Sequence, residues 1–232
     1  MFGLDLVTLT AAYMLATASG CPPQGNAAVE VRVQQHDRPY NTDYTSQQLT
    51  QMFGNDIDST LFTDGKWMIG GVTVTSRDGL TSQTKAHFSF TPNYKTDTAC
   101  FSIDKVEYEI NYKPAIYIAS DYKDMGCRYS ATLMHEKRHV QQDIKTLTDY
   151  KRTIEKAIEK YLYRKQHPMV TREGVEAMQK RALQELNAAL EPTWKDLLEL
   201  RRKRQAEVDT EANYRRDTAL CPGQFPEFNG GQ

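Results

Sequence analysis

The stretch that decides how this chain reads runs from Ser130 to Gln166, SATLMHEKRHVQQDIKTLTDYKRTIEKAIEKYLYRKQ. Within it Leu133, Val140, Ile144, Leu147, Ile154, Ile158 and Leu162 recur at spacings of three, four and seven. That is the period of a long amphipathic helix with one apolar stripe. His167-Pro168 is expected to end it, because a proline pushes the residue before it out of helical geometry. The first turns of this helix carry His135-Glu136-Lys137-Arg138-His139. Two histidines four residues apart on a helix project from one face about a turn apart, so both rings can bind one tetrahedral zinc ion. A glutamate directly after the first histidine then stands beside the open coordination position, where it can take a proton from bound water. His135 and His139 are therefore the expected metal ligands, Glu136 the expected general base and Zn2+ the expected cofactor. The bland alternative is a solvated helix face on which these residues are ordinary surface groups. It is weakened by there being only five histidines in the chain.

A catalytic zinc site needs a third protein ligand. A second helical stretch, capped by Thr171 and running to about Thr218, is expected from the stripe Val175, Met178, Leu183, Leu186, Leu190, Leu197, Leu200 and Val208. Pro192 is expected to kink or divide it. Two long helices joined by a short turn predict an antiparallel helical hairpin. Descending the second helix by roughly the 28 residues that separate His139 from the turn leads to the segment 207–214. On a wheel of about 100 degrees per residue, Glu211 lies closest to the apolar stripe, while Glu207 and Asp209 lie farther off. Helical geometry thus selects Glu211. Tyr214, one turn beyond, reads either as a surface tyrosine or as a donor to a developing oxyanion.

The N-terminal half has the other period. Val29-Val31-Val33, Trp67 to Thr75, His87 to Phe90 and Phe101 to Tyr117 alternate with period two, the last run broken at Pro114. Thr45 to Phe53 is expected to be a short helix capped by Thr45 or Ser46. The fold class that follows is α+β: a small, mostly antiparallel sheet in the N-terminal half, then the helical hairpin with its HExxH site. The expected organisation is a signal-like segment and linker over 1–27, a mostly β region over 28–120, and a helical region with the metal site over 121–232.

The charges nearly cancel, with 29 Lys and Arg against 30 Asp and Glu. No electrostatic footprint for nucleic acid results. The run Arg201-Arg202-Lys203-Arg204 reads as a solvated helix face. Leu6 to Ala18, ending in Ala18-Ser19-Gly20-Cys21, resembles the apolar and cleavage regions of an export signal, although Asp5 stands where a basic residue is usual. Gly20-Cys21 also resembles a lipoprotein processing site, which would make Cys21 a lipid tether. Cys21, Cys100, Cys127 and Cys221 show no CxxC spacing, so neither a zinc knuckle nor a thioredoxin-like pair is expected. One disulfide among Cys100, Cys127 and Cys221 is expected, with connectivity open. The expected location is secreted, periplasmic or in the cell envelope.

The order of a strand with Lys113-Pro114, the helix Leu133-Met134-His135-Glu136-Lys137-Arg138-His139 and a distal Gln205-Ala206-Glu207-Val208-Asp209-Thr210-Glu211 resembles the bacterial family known as predicted secreted Zn-dependent proteases, zincins of gluzincin or aspzincin kind. The resemblance spans about residues 28 to 226, and HExxH is its sharp element. It implies Asp209 rather than Glu211 as third ligand, although the family's distal Tyr-Asp and His-Gly are replaced here by Val208-Asp209 and Tyr214-Arg215. The leading expectation is a zinc endopeptidase acting on a protein or peptide. The alternatives are an envelope assembly module, whose hairpin binds a protein partner around a structural or vestigial zinc site, and a zinc-dependent hydrolase of cell-wall amides.

Overall fold

A computed structural model describes residues 21, 27–37, 40–54, 68–76, 79–93, 96–164 and 169–225. The signal-like segment, the linker after Cys21 and the helix end at His167-Pro168 lie outside the described residues. The chain holds both helices and strands, as an α+β fold requires. In order the elements are β1 (Ala28–Gln35), α1 (Ser46–Phe53), β2 (Gly71–Val74), β3 (Leu80–Asn93), β4 (Thr98–Tyr112), β5 (Ala115–Ile118), α2 (Gly126–Arg164), β6 (Met169–Thr171), α3 (Val175–Ala206) and α4 (Glu211–Ala219). One sheet is ordered β1-β4-β3 with β6 also on β4, and a second pairs β2 with β5.

The sequence boundary at residue 120 separates strand-rich from helix-rich sequence, but the compact units do not follow it. One unit is Met1–Arg32, Gln83–Glu109 and Lys151–Lys195; the other is Val33–Ser82, Ile110–Tyr150 and Asp196–Gln232. Each draws on both halves, since β4, α2 and α3 contribute a segment to each. In the first, Phe101, Ile103, Val106 and Tyr108 of β4 are buried, as are Ile154, Ile158 and Leu162 of α2 and Ala182, Leu186 and Leu190 of α3. The rings of Phe88 and Phe90 pack on Phe101, with centroids 5.1 and 5.6 Å away. Cys21 is bonded to Cys100 here. The Cys21 sulfur, the atom a thioether lipid would need, is thus committed to another cysteine.

The second unit contains every expected site residue. Its sheet pairs β2 with β5 antiparallel, Gly71 opposite Ile118 and Thr73 opposite Ile116. Pro114 falls between β4 and β5, where its missing N–H removes no ladder bond. Thr45 caps α1 through a capping box with Gln48, satisfying two otherwise orphaned amides. Leu49 of α1 packs with Ile69, Ala119 and Tyr122 in a buried cluster.

Three helical expectations change. α2 begins at Gly126, four residues before Ser130. Thr171 makes no side-chain cap; it ends β6, and a 3-10 turn, Arg172–Gly174, precedes α3. α3 continues through the exposed Pro192 and stops at Ala206 instead. The backbone then turns through 207–210 before α4 starts at Glu211 with Thr210 as N-cap.

Candidate metal centre

The buried stripe of α2 explains why its first turns carry chemistry. His135, Glu136, His139, Asp143 and Thr146 are buried polar residues, and Leu147, Ile154, Ile158 and Leu162 continue the stripe in apolar form. Burying polar groups is costly unless each has a partner. The hydrogen-bond partners of these polar residues named below belong to the same compact unit.

The turn after α3 delivers Asp209. Val208 N–H donates to Gln205 carbonyl (2.9 Å), and the Asn213 side-chain amide donates to the carbonyls of Glu207 (3.0 Å) and Val208 (3.1 Å). These bonds hold the non-helical segment, so Asp209 meets both histidines. Its Oδ1 lies 3.1 Å from His135 Nε2 and 3.0 Å from His139 Nε2, and the two Nε2 atoms are 3.2 Å apart. A regular tetrahedron with metal bonds of about 2.0–2.1 Å has edges of about 3.3 Å. The three atoms therefore form one face of a coordination tetrahedron to within a few tenths of an ångström. His135, His139 and Asp209 form a group able to hold a metal ion, and no other such group occurs among the described residues.

Outer partners fix which ring atoms face inward. His135 Nδ1 is 3.1 Å from Asp217 Oδ2, and a carboxylate only accepts, so Nδ1 carries the proton. Gln205 donates its Nε2 to the His139 carbonyl (2.9 Å) and to Asp143, which turns its Oε1 toward His139 Nδ1. That nitrogen too must donate. Both Nε2 lone pairs then face the Asp209 oxygen, an arrangement that calls for a cation, proton or metal, among them. Burial opposes charge on His135, but Asp209 and Asp217 overcome it and raise its pKa to about 9. Burial likewise works against ionised Asp209, and the two imidazoles and the Tyr214 hydroxyl more than offset it, holding its pKa below the usual carboxylate range.

No family model, curated protein or solved structure matches the chain.

Glu136 is buried, and burial raises its pKa above the ordinary carboxylate value. Its Oε2 accepts from Thr73 Oγ1 at 2.8 Å. β2 lies so close that a Cβ on Gly71 would stand 3.0 Å from Glu136 Oε1 and 2.6 Å from Thr132 Cγ2. Glycine is required there by close approach. Tyr214 is a site residue and not a surface one: its ring stacks on His135 with centroids 4.7 Å apart, and its hydroxyl donates to Asp209 Oδ1 at 2.9 Å. Burial, then the nearby Asp209 charge, raise its pKa, so the hydroxyl keeps its proton.

Glu211 is not brought to the site. It is exposed in the first turn of α4 and accepts from Arg215 Nε at 2.8 Å. Glu207 is exposed in the preceding turn. The wheel selected Glu211 because it assumed one helix through a segment where the chain leaves helical geometry. The two residues inside HExxH part company as well. Lys137 is exposed, its Nζ 5.4 Å from the Tyr40 ring centroid, whereas Arg138 turns to Asp217.

Sequence reasoning missed a whole supporting layer. Asp143, one turn past His139, accepts from Tyr112 hydroxyl (2.8 Å), from Arg201 Nε (2.8 Å) and Nη2 (2.7 Å), and from Gln205. The basic run of α3 is thus only half a solvated face. Arg202 and Lys203 pair with Glu199 outside, while Arg201 reaches Asp143 and Arg204 reaches Asp149 at 2.9 Å. The signal was available: polar residues at His139, Asp143 and Thr146 interrupt an otherwise apolar stripe.

The second disulfide, Cys127–Cys221, joins the first turn of α2 to the segment after α4. It realises a pairing within the expected trio, and Cys100 pairs outside that trio with Cys21. Two disulfides indicate an oxidising environment. No helix among the described residues is long and apolar enough to cross a membrane.

Proposed function

We propose that the protein is a zinc-dependent hydrolase of peptide bonds, working in an oxidising compartment outside the cytoplasm. One observation carries the reading: the face formed by His135 Nε2, His139 Nε2 and Asp209 Oδ1, with Glu136 next to it on the same helix. Two imidazoles and one carboxylate leave a fourth position open, which distinguishes a catalytic from a closed structural zinc site. When bound there, Zn2+ supplies Lewis-acid polarisation of a carbonyl and a more acidic water.

The chain's own residues do the rest. Thr73 holds Glu136 Oε2, leaving Oε1 to take a proton from the attacking water as its oxygen bonds to the carbonyl carbon. The raised pKa of Glu136 suits a group that must accept that proton and then release it to the departing amine nitrogen. The C–N bond breaks as the proton arrives, so one water is consumed per bond. Tyr214, protonated and stacked on His135, would turn its hydroxyl from Asp209 Oδ1 to the oxyanion as that charge develops. The two disulfides support a secreted or envelope location, and the HExxH–Asp order supports kinship with the secreted zinc-dependent proteases. Glu136→Gln tests the assignment: it is expected to keep zinc and lose cleavage of casein by at least about 1,000-fold. Unchanged cleavage overturns the mechanism. Cleavage of peptidoglycan amides alone transfers it to the cell wall, and zinc held with no hydrolysis of either favours an assembly role.

A further inference from the structure

An arginine next to the second metal ligand looks unhelpful, since a cation there repels the cation to be bound. The geometry points to a use for it: we propose that His135, Asp217 and Arg138 form a graded relay in which Asp217 strengthens His135 as a ligand and Arg138 holds that strengthening in check. Asp217 Oδ2 lies 3.1 Å from His135 Nδ1 and is also paired with Arg138 Nη2, which is itself 3.2 Å from that ring nitrogen. Arg138 is three residues after His135 on α2, so the two side chains are neighbours on one face. The Asp217 side chain is only 9% exposed, against 29% for Arg138. Ring nitrogen, carboxylate oxygen and guanidinium nitrogen thus form a triangle in which the ring and Arg138 share one poorly solvated oxygen, while Arg216 Nε lies 3.6 Å from the other, Oδ1.

Carboxylate–histidine–metal chains orient the ring and raise its basicity, and their loss typically weakens metal binding 10- to 100-fold. His139 has a different partner, the neutral amide of Gln205. The site is thus asymmetric: one ligand is tuned by charge and the other is only positioned. Arg138 competes with His135 for the same carboxylate oxygen, so it draws charge away from the ring and leaves the metal more electron-poor. An electron-poor metal is a better Lewis acid and is held less tightly. Arg138 and Asp217 are accordingly positioning residues with opposite effects on affinity.

This inference rests on the metal-site reading above. The test titrates the full chain with Zn2+ against a chromogenic chelator and records the absorption bands of the Co2+ form. Asp217→Asn, which keeps an acceptor and removes the charge, is expected to weaken Zn2+ binding about 10- to 100-fold. Arg138→Met is expected to tighten it about fivefold, by removing a nearby positive charge, and to shift the Co2+ bands. Arg138→Lys is expected to return affinity to within about twofold of the starting protein. Misfolding or a merely structural salt bridge can only weaken binding, so weaker or unchanged affinity in Arg138→Met overturns the relay. A wild-type chain that takes up neither Zn2+ nor Co2+ overturns the relay and the metal site together.

Discussion

Arg201→Met is the substitution whose cost the structure fixes best. Asp143 has a side chain only 1% exposed, and Arg201, 23% exposed, gives it two of the four hydrogen bonds it accepts together with its counter-charge. The substitution leaves a buried carboxylate facing only Tyr112 and Gln205. Removing one partner of a buried ion pair costs about 3–5 kcal/mol, a large share of the roughly 5–15 kcal/mol that holds a typical domain folded. At this chain length about 1 kcal/mol corresponds to about 2–4 °C, so the melting temperature should fall by about 6–20 °C. Because the same Asp143 holds the Gln205 amide against His139, zinc affinity should fall too, by about tenfold. Thermal and urea unfolding of Arg201→Met, Asp143→Asn and the double variant measure the coupling, expected at about 1–3 kcal/mol. A single-variant loss under about 1 kcal/mol, or strict additivity in the double, refutes the strut.

Two further outcomes follow from the same packing. Gly71→Ala places a methyl 2.6 Å from Thr132 Cγ2 and 3.0 Å from Glu136 Cγ, so it should destabilise by about 1–3 kcal/mol and reduce hydrolysis while zinc stays bound; equal melting and equal rates to wild type contradict the close approach. Cys127→Ser opens a cross-link spanning 94 residues of sequence, which in the chain-entropy account loosens folding by about 4–5 kcal/mol; an unchanged urea midpoint under non-reducing conditions contradicts it.

The helix of the HExxH site was legible because periodicity and motif agreed: the stripe through Leu147, Ile154 and Ile158 is buried, and His135, Glu136 and His139 lie on its continuation. Thr45 as cap of α1 and the break at Pro114 were legible for similar local reasons. The third candidate ligand was not legible from the wheel, because the geometry there depends on a helix ending at Ala206 and another starting at Glu211. The restart did leave a mark, since Thr210 followed by Glu211 is an N-cap with an acidic first turn. Asp209, indicated by resemblance, is the residue that meets the histidines. Tyr214 also depended on that turn, which sets the face that α4 presents. Asp217, Gln205 and Arg201 were out of reach because each meets its partner across more than 50 residues of sequence, with no spacing rule to link them.

Three side chains, and not the two histidines alone, are proposed to hold one metal ion. Metal analysis of the purified chain after equilibration with limiting Zn2+ tests it directly. One zinc per chain is expected in wild type and in Glu211→Ala, and none retained through gel filtration in His135→Ala, His139→Ala or Asp209→Ala. Absence of zinc from wild type, or a full equivalent kept by Asp209→Ala and lost by Glu211→Ala, would contradict it.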